Sequence, residues 1–112
     1  MGIEFNGTEI ETNAGGYLVN LEDWSEDLAR HMAEADGLGL TEAHWDVINY
    51  LRDEYLNNNQ SQPNTRTIVK AMAEKREREV DQKELYDLFP GDPSKQAGRI
   101  SGLPESRRKG GY

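Results

Sequence analysis

One hundred and twelve residues suit a single domain built on one hydrophobic core. Only 35% of them are hydrophobic and 30% are charged, for a net charge of −8, yet two Trp, five Tyr and two Phe recur at periodic positions, which excludes the disordered class. The chain has no cysteine, which excludes disulfides, thiol nucleophiles, Fe–S clusters and cysteine-ligated zinc.

The opening Met1-Gly2-Ile3-Glu4-Phe5 has neither a basic n-region nor an apolar h-region, and no apolar run approaches the roughly 18 residues of a membrane span. A cytoplasmic protein is expected, with no membrane contact. The charge is unevenly spread. Residues 1–60 hold two cations and thirteen carboxylates, whereas residues 61–112 hold eleven cations and eight carboxylates. Two faces with different partners would produce that split; a solvated acidic surface that keeps the protein in solution accounts for it equally well.

In chain order, Ile3 to Thr12 alternates apolar and polar residues around Asn6-Gly7, the pair that a two-residue type I′ turn requires, and predicts a β-hairpin. A turn at Asn13 to Gly16 leads to a third short strand, Tyr17-Leu18-Val19. From Asn20 the period becomes helical, with Leu21, Trp24, Leu28 and Met32 on one face. Either Ser25, or Asn20 with Asp23, can cap this helix, and Gly37 and Gly39 end it. Thr41 caps the next helix, Glu42 to about Leu56, with Trp45, Ile48, Leu51 and Tyr55 inward and Glu42, Asp46, Asp53 and Glu54 towards water.

A polar loop, residues 57–63, precedes Asn64, which caps a helix from Thr65 to about Glu79 with Ile68, Val69, Met72 and Ala73 inward. Asp81 caps a short helix carrying Leu85, Leu88 and Phe89, stopped by Pro90-Gly91. Pro93 suits the first position of a last short helix, and Gly102 closes it. The expected fold is α+β: a short N-terminal three-stranded β-meander packed on about five helices, with residues 1–102 as one domain and 103–112 as a flexible C-terminal arm.

The sequence offers no constellation for catalysis. His31 and His44 fall in different helices, and neither has a histidine three or four residues away to build a metal site. His44 precedes Asp46 by two positions, which on a helix do not face each other, so a packing histidine is the better account. The serines sit at caps and turns, and the glycine pairs lack a phosphate-loop pattern. No cofactor, metal or small-molecule substrate is expected. Arg66, Lys70, Arg76 and Arg78 lie on or near the helix after the polar loop, and helices 41–56 and 65–79 imitate a helix-turn-helix, which leaves DNA as a possible partner. The net charge and the interspersed Glu74, Glu77 and Glu79 oppose tight DNA binding.

Several motifs resemble one known family. Leu40-Thr41-Glu42-Ala43-His44-Trp45-Asp46-Val47-Ile48-Asn49-Tyr50-Leu51-Arg52-Asp53-Glu54-Tyr55 is similar to the DsrC/TusE family, also called gamma subunits of dissimilatory sulfite reductase. Collinear matches are Gly16-Tyr17-Leu18 with Leu21-Glu22-Asp23-Trp24, Pro63-Asn64-Thr65-Arg66 with Lys70-Ala71, Leu85 to Pro90, and Pro93-Ser94-Lys95-Gln96-Ala97 with Arg99 to Pro104. The resemblance implies a small β-meander on a helical array and a role as a protein partner in sulfur metabolism. It further implies sulfur carriage on the C-terminal arm: DsrC-type members use two arm cysteines with sulfite reductase, and TusE-type members use the penultimate one in a relay towards tRNA thiolation.

Here Gly98 stands where the inner family cysteine would sit, and Gly111 where the outer one would. Neither forms a thiolate or persulfide. The chain therefore resembles the cysteine-free, regulatory (RspA-like) type, a non-catalytic monomer that binds sulfite reductase or sulfur-relay proteins. Lys95, Arg99, Arg107, Arg108 and Lys109 make the arm basic and are its candidate partner-binding residues. The competing readings are a DNA-binding regulator of sulfur genes and, by family alone, a sulfur-relay or gamma-subunit role.

Overall fold

A computed structural model of the chain describes residues 2–13 and 15–104. Strands β1 (Gly2–Phe5) and β2 (Thr8–Glu11) form an antiparallel hairpin, with Ile3 opposite Ile10 and Phe5 opposite Thr8. Asn6 and Gly7 both take positive φ, 53° and 77°, as a type I′ turn demands. Ile3, Phe5 and Ile10 share the face turned to the core, and the Phe5 ring lies 5.4 Å from that of His31.

The expected third strand is reduced to one bridge, Thr12 with Leu18. Asn13 is the reason. Its carbonyl oxygen accepts from Gly16 N, and its side chain accepts from the backbone N–H of Gly15 and Tyr17, at 2.8 and 3.1 Å. The chain is thus turned by local bonds that compete with a sheet ladder, and only Leu18 is left to enter the core.

A 3-10 turn, Leu21–Asp23, precedes helix α1 (Glu26–Ala35). Ser25 is the cap: its Oγ accepts from Leu28 N at 3.1 Å, while Asn20 makes no side-chain cap bond. Trp24 consequently lies outside the helix, in extended backbone. Helix α1 ends at Gly37 (φ 80°), where Gly37 N bonds Glu34 O and Leu38 N bonds Ala33 O, the paired closure of a Schellman motif.

Helices α2 (Glu42–Asn57), α3 (Thr65–Arg76), α4 (Gln82–Leu88) and α5 (Pro93–Ile100) complete the chain. Asn64 and Asp81 cap α3 and α4 through side-chain oxygens, each accepting a backbone N–H three residues on. Helix α3 stops at Arg76, three residues before the expected Glu79, because Glu77 turns left-handed (φ 52°). On α2 the buried residues are His44, Val47, Ile48 and Leu51, so Trp45 and Tyr55 are half-buried rather than central. Asp46 does not face water either; it is half-buried against α3.

The core is Leu18, Leu28, Met32, Val47, Ile48, Leu51, Ile68, Met72, Leu85, Phe89, Ile100 and Leu103 with intervening alanines. Helix α5 runs through it and touches every other α-helix. No helix among the described residues is long and apolar enough to cross a membrane.

His44 joins two helices inside this core. Its Nδ1 accepts from Thr41 N at 3.0 Å, its Nε2 donates to Leu88 O at 2.8 Å, and its ring meets Phe89 edge-on. Both nitrogens are committed, with the proton on Nε2. Burial favours the neutral ring and lowers its pKa from the ordinary 6.5, against a smaller opposing effect of the Leu88 bond. The unfolded chain thus binds more protons than the folded one just below 6.5. This contribution to stability is complete above 6.5 and is lost as pH falls through that value towards the folded-state one. Urea unfolding between neutrality and about pH 5.5 is expected to show a larger fall in midpoint for the native chain than for His44→Gln.

Candidate functional site

Helix α5 presents three sides. Ala97 and Ile100 enter the core. Lys95, Gln96 and Arg99 line an open depression of about 410 Å³, together with Tyr17, Asp36 and Gly91. Gly98 is half-buried, and a Cβ placed there meets nothing outside its own helix within 4 Å.

Arg99 is ion-paired with Asp36. Gln96 Nε2 donates to the same carboxylate oxygen at 3.1 Å, and Gln96 Oε1 accepts from Gly91 N at 2.8 Å. Asp36 stands at the C-terminal end of α1, where the helix dipole disfavours a carboxylate. Arg99 and Gln96 supply the compensating donors. Of the candidate arm residues, Lys95 and Arg99 therefore share one depression, with Arg99 engaged and Lys95 exposed. Arg107, Arg108, Lys109 and Gly111 lie outside the described residues.

The carbonyls at the end of α5 and just past it are bonded from several elements. Gly102 (φ 76°) and Leu103 close a Schellman motif by donating to Arg99 O at 3.0 Å and Gly98 O at 3.1 Å. Ser101 Oγ donates to Ala97 O at 2.6 Å. Trp24 Nε1 donates to Ile100 O at 2.8 Å, Arg52 Nη1 to Ser101 O at 2.7 Å, and Gln62 Nε2 to Pro104 O at 2.8 Å. The Arg52 guanidinium also lies over the Trp24 ring, 3.9 Å from its centroid. Burial lowers the Arg52 pKa from its ordinary value, which is too high for the charge to be lost. A cation at this helix C-terminus complements the dipole. Leu103, the first residue of the expected arm, is buried, so the packed chain continues past Gly102.

The four cations singled out for DNA are not brought together as a reading face. Arg76 donates to Asp46 at 2.5 Å, and Arg78 to Glu84 at 2.6 and 3.1 Å. That second bond raises the Arg78 pKa and lowers the Glu84 one. Arg66 and Lys70 are exposed at a groove of about 670 Å³, whose far wall carries Glu79, Asp81 and Glu84. A third depression, about 440 Å³ between α2 and α3, holds Tyr50. Burial first, then Glu54 and Glu74, raise its pKa, so its hydroxyl is no nucleophile near neutrality.

Sequence reasoning missed Trp24, Arg52 and Gln62 as site residues. Trp24 reads as a helix core position and Gln62 as loop. Arg52 carried a signal: it is one of two cations in the first sixty residues and follows buried Leu51.

A two-stranded hairpin on a helical array, with the last described helix at its centre, defines a small α+β protein. Comparison with known proteins identifies the family. Residues 4–108 match the family described as "DsrC like protein", and the chain belongs to this DsrC/TusE family. Sulfurtransferase TusE of Sodalis glossinidius is 51% identical over 104 residues, covering 92% of this chain and 95% of that protein. Sulfurtransferase TusE of Escherichia coli K12 is 48% identical over 102 residues, covering 90% and 93%. Among solved structures, Allochromatium vinosum DsrC superposes with TM-score 0.84 at 44% identity, covering 96% of both chains. The oxidized gamma-subunit of the dissimilatory sulfite reductase (DsrC) from Archaeoglobus fulgidus gives TM-score 0.82 at 31% identity, covering 92% of this chain and 94% of that one. The family is one of sulfur metabolism.

Two glycines four positions apart should respond oppositely to alanine. Gly98 is mid-helix in open space, so Gly98→Ala is expected to raise stability by about 0.5–1 kcal/mol. A Cβ at Gly102 falls 2.3 Å from the Trp24 ring on a left-handed backbone, so Gly102→Ala is expected to cost at least about 1–3 kcal/mol. Chemical denaturation of both variants checks the two signs.

Proposed function

We propose that this chain is a non-catalytic, partner-binding protein of sulfur metabolism, regulatory in role, that engages sulfite reductase or sulfur-relay proteins without carrying sulfur. The observation that carries this reading is Gly98: the helix position has room for a Cβ and holds none, while the bonding around it is intact. A thiol is what a persulfide needs, and the chain has no cysteine. His44 is committed on both nitrogens, and the Tyr50 hydroxyl is held above its ordinary pKa.

The partner-binding residues in this reading are Lys95 and Arg99 on α5, with Arg107, Arg108 and Lys109 beyond it. The protein acts as a cytoplasmic monomer whose basic end meets an acidic groove on the partner. Binding of DNA through Arg66, Lys70, Arg76 and Arg78 is the weaker alternative, because two of these are paired and the other two oppose carboxylates.

Immobilised native protein is expected to retain sulfite reductase or sulfur-relay proteins from a lysate of its own cells, and retention of none of them would sink the proposal. Incubation with a persulfide donor should leave the native mass unchanged, whereas Gly98→Cys should gain sulfur. A sulfur adduct on the native chain would overturn the non-carrier role. A promoter-specific gel shift that survives physiological salt would favour the DNA reading instead.

A further inference from the structure

We propose that Trp24, Arg52 and Gln62 are positioning residues for the C-terminal arm: together they set the direction in which the residues after Pro104 leave the domain. The backbone bonds of Gly102 and Leu103 close α5 by satisfying Arg99 O and Gly98 O. The three side-chain donors act on the carbonyls of Ile100, Ser101 and Pro104, and the last of these lies beyond the Schellman motif altogether. The donors come from three separate places: the segment before α1, the middle of α2, and the loop between α2 and α3. Bonds from three directions fix orientation as well as position. The stacking of Arg52 on Trp24 couples two of the donors, so neither turns without the other.

The arm's root is therefore Pro104, not the end of α5. From there the penultimate residue, Gly111, is seven residues away, a reach of about 24 Å at full extension. A partner that takes the tip of the arm must also seat the surface around the root, where Gln62 and Pro104 are half-buried. This use of the aim rests on the docking role proposed above; the aim itself does not.

The cysteine-free chain allows a clean test. Nitroxides on Gly98→Cys and Gly111→Cys report the distance between α5 and the arm tip by pulsed electron paramagnetic resonance. Gln62→Ala is expected to shift or widen that distribution while leaving the thermal unfolding midpoint in place. In the double variant Arg52→Lys/Gln62→Ala only the backbone bonds of Gly102 and Leu103 and the Trp24 donor still hold the root, and the distribution should widen further than in Gln62→Ala. Trp24→Phe keeps the ring and loses the N–H donor, and should widen it as well. An unchanged distribution in Gln62→Ala and in each other variant that folds would overturn the positioning role. Retention of sulfur-pathway proteins by the unlabelled native chain is read separately, so either proposal can fail alone.

Discussion

A helix that ends inside a protein must find partners for its last carbonyls, and α5 ends between α2, the Trp24 segment and the α2–α3 loop. Three side chains from those elements meet three carbonyls at Ile100, Ser101 and Pro104. Much of the architecture follows. Trp24 must stand outside α1 to reach Ile100, which the Ser25 cap allows by starting the helix after it. Gly102 must be glycine, because its left-handed turn presses against the Trp24 side chain. Arg52 must point into a half-buried layer, which its stacking on Trp24 and its bond to Ser101 make tolerable.

The same constraint separates scaffold from chemistry. The arm's seat depends on the carbonyls of α5 and on donors elsewhere, none of which is the side chain at position 98. A glycine there offers no reactive group and leaves the bonding of the root untouched.

Local chemistry made much of the fold legible. Asn6-Gly7 declared the hairpin because only such a pair accepts two positive φ angles in succession. Thr41, Asn64, Asp81 and Pro93 marked helix starts, since capping and a fixed φ act within a few residues. The third strand was not legible, because Asn13 turned the chain by bonding to itself locally. Nor was the length of α3, which depended on Glu77 accepting a left-handed conformation. At the candidate site, Gly98 and the basic residues of α5 could be named from sequence; the clamp could not, because its members are distant in the chain and each has an ordinary local explanation.

By itself the sequence determined the family, the absence of a thiol, the starts of the hairpin and of helices α2 to α5, and the division of charge between the two halves. These are properties of composition and of neighbours within about four residues, where turn and capping preferences act. Only the tertiary structure decided which cations are engaged, with Arg76 on Asp46, Arg78 on Glu84 and Arg99 on Asp36. It alone decided that His44 bonds to Leu88 O and that the packed chain continues through Leu103. The physical reason is the same in each case. A hydrogen bond or ion pair between groups on different elements depends on where packing brings them, and no local preference encodes that meeting.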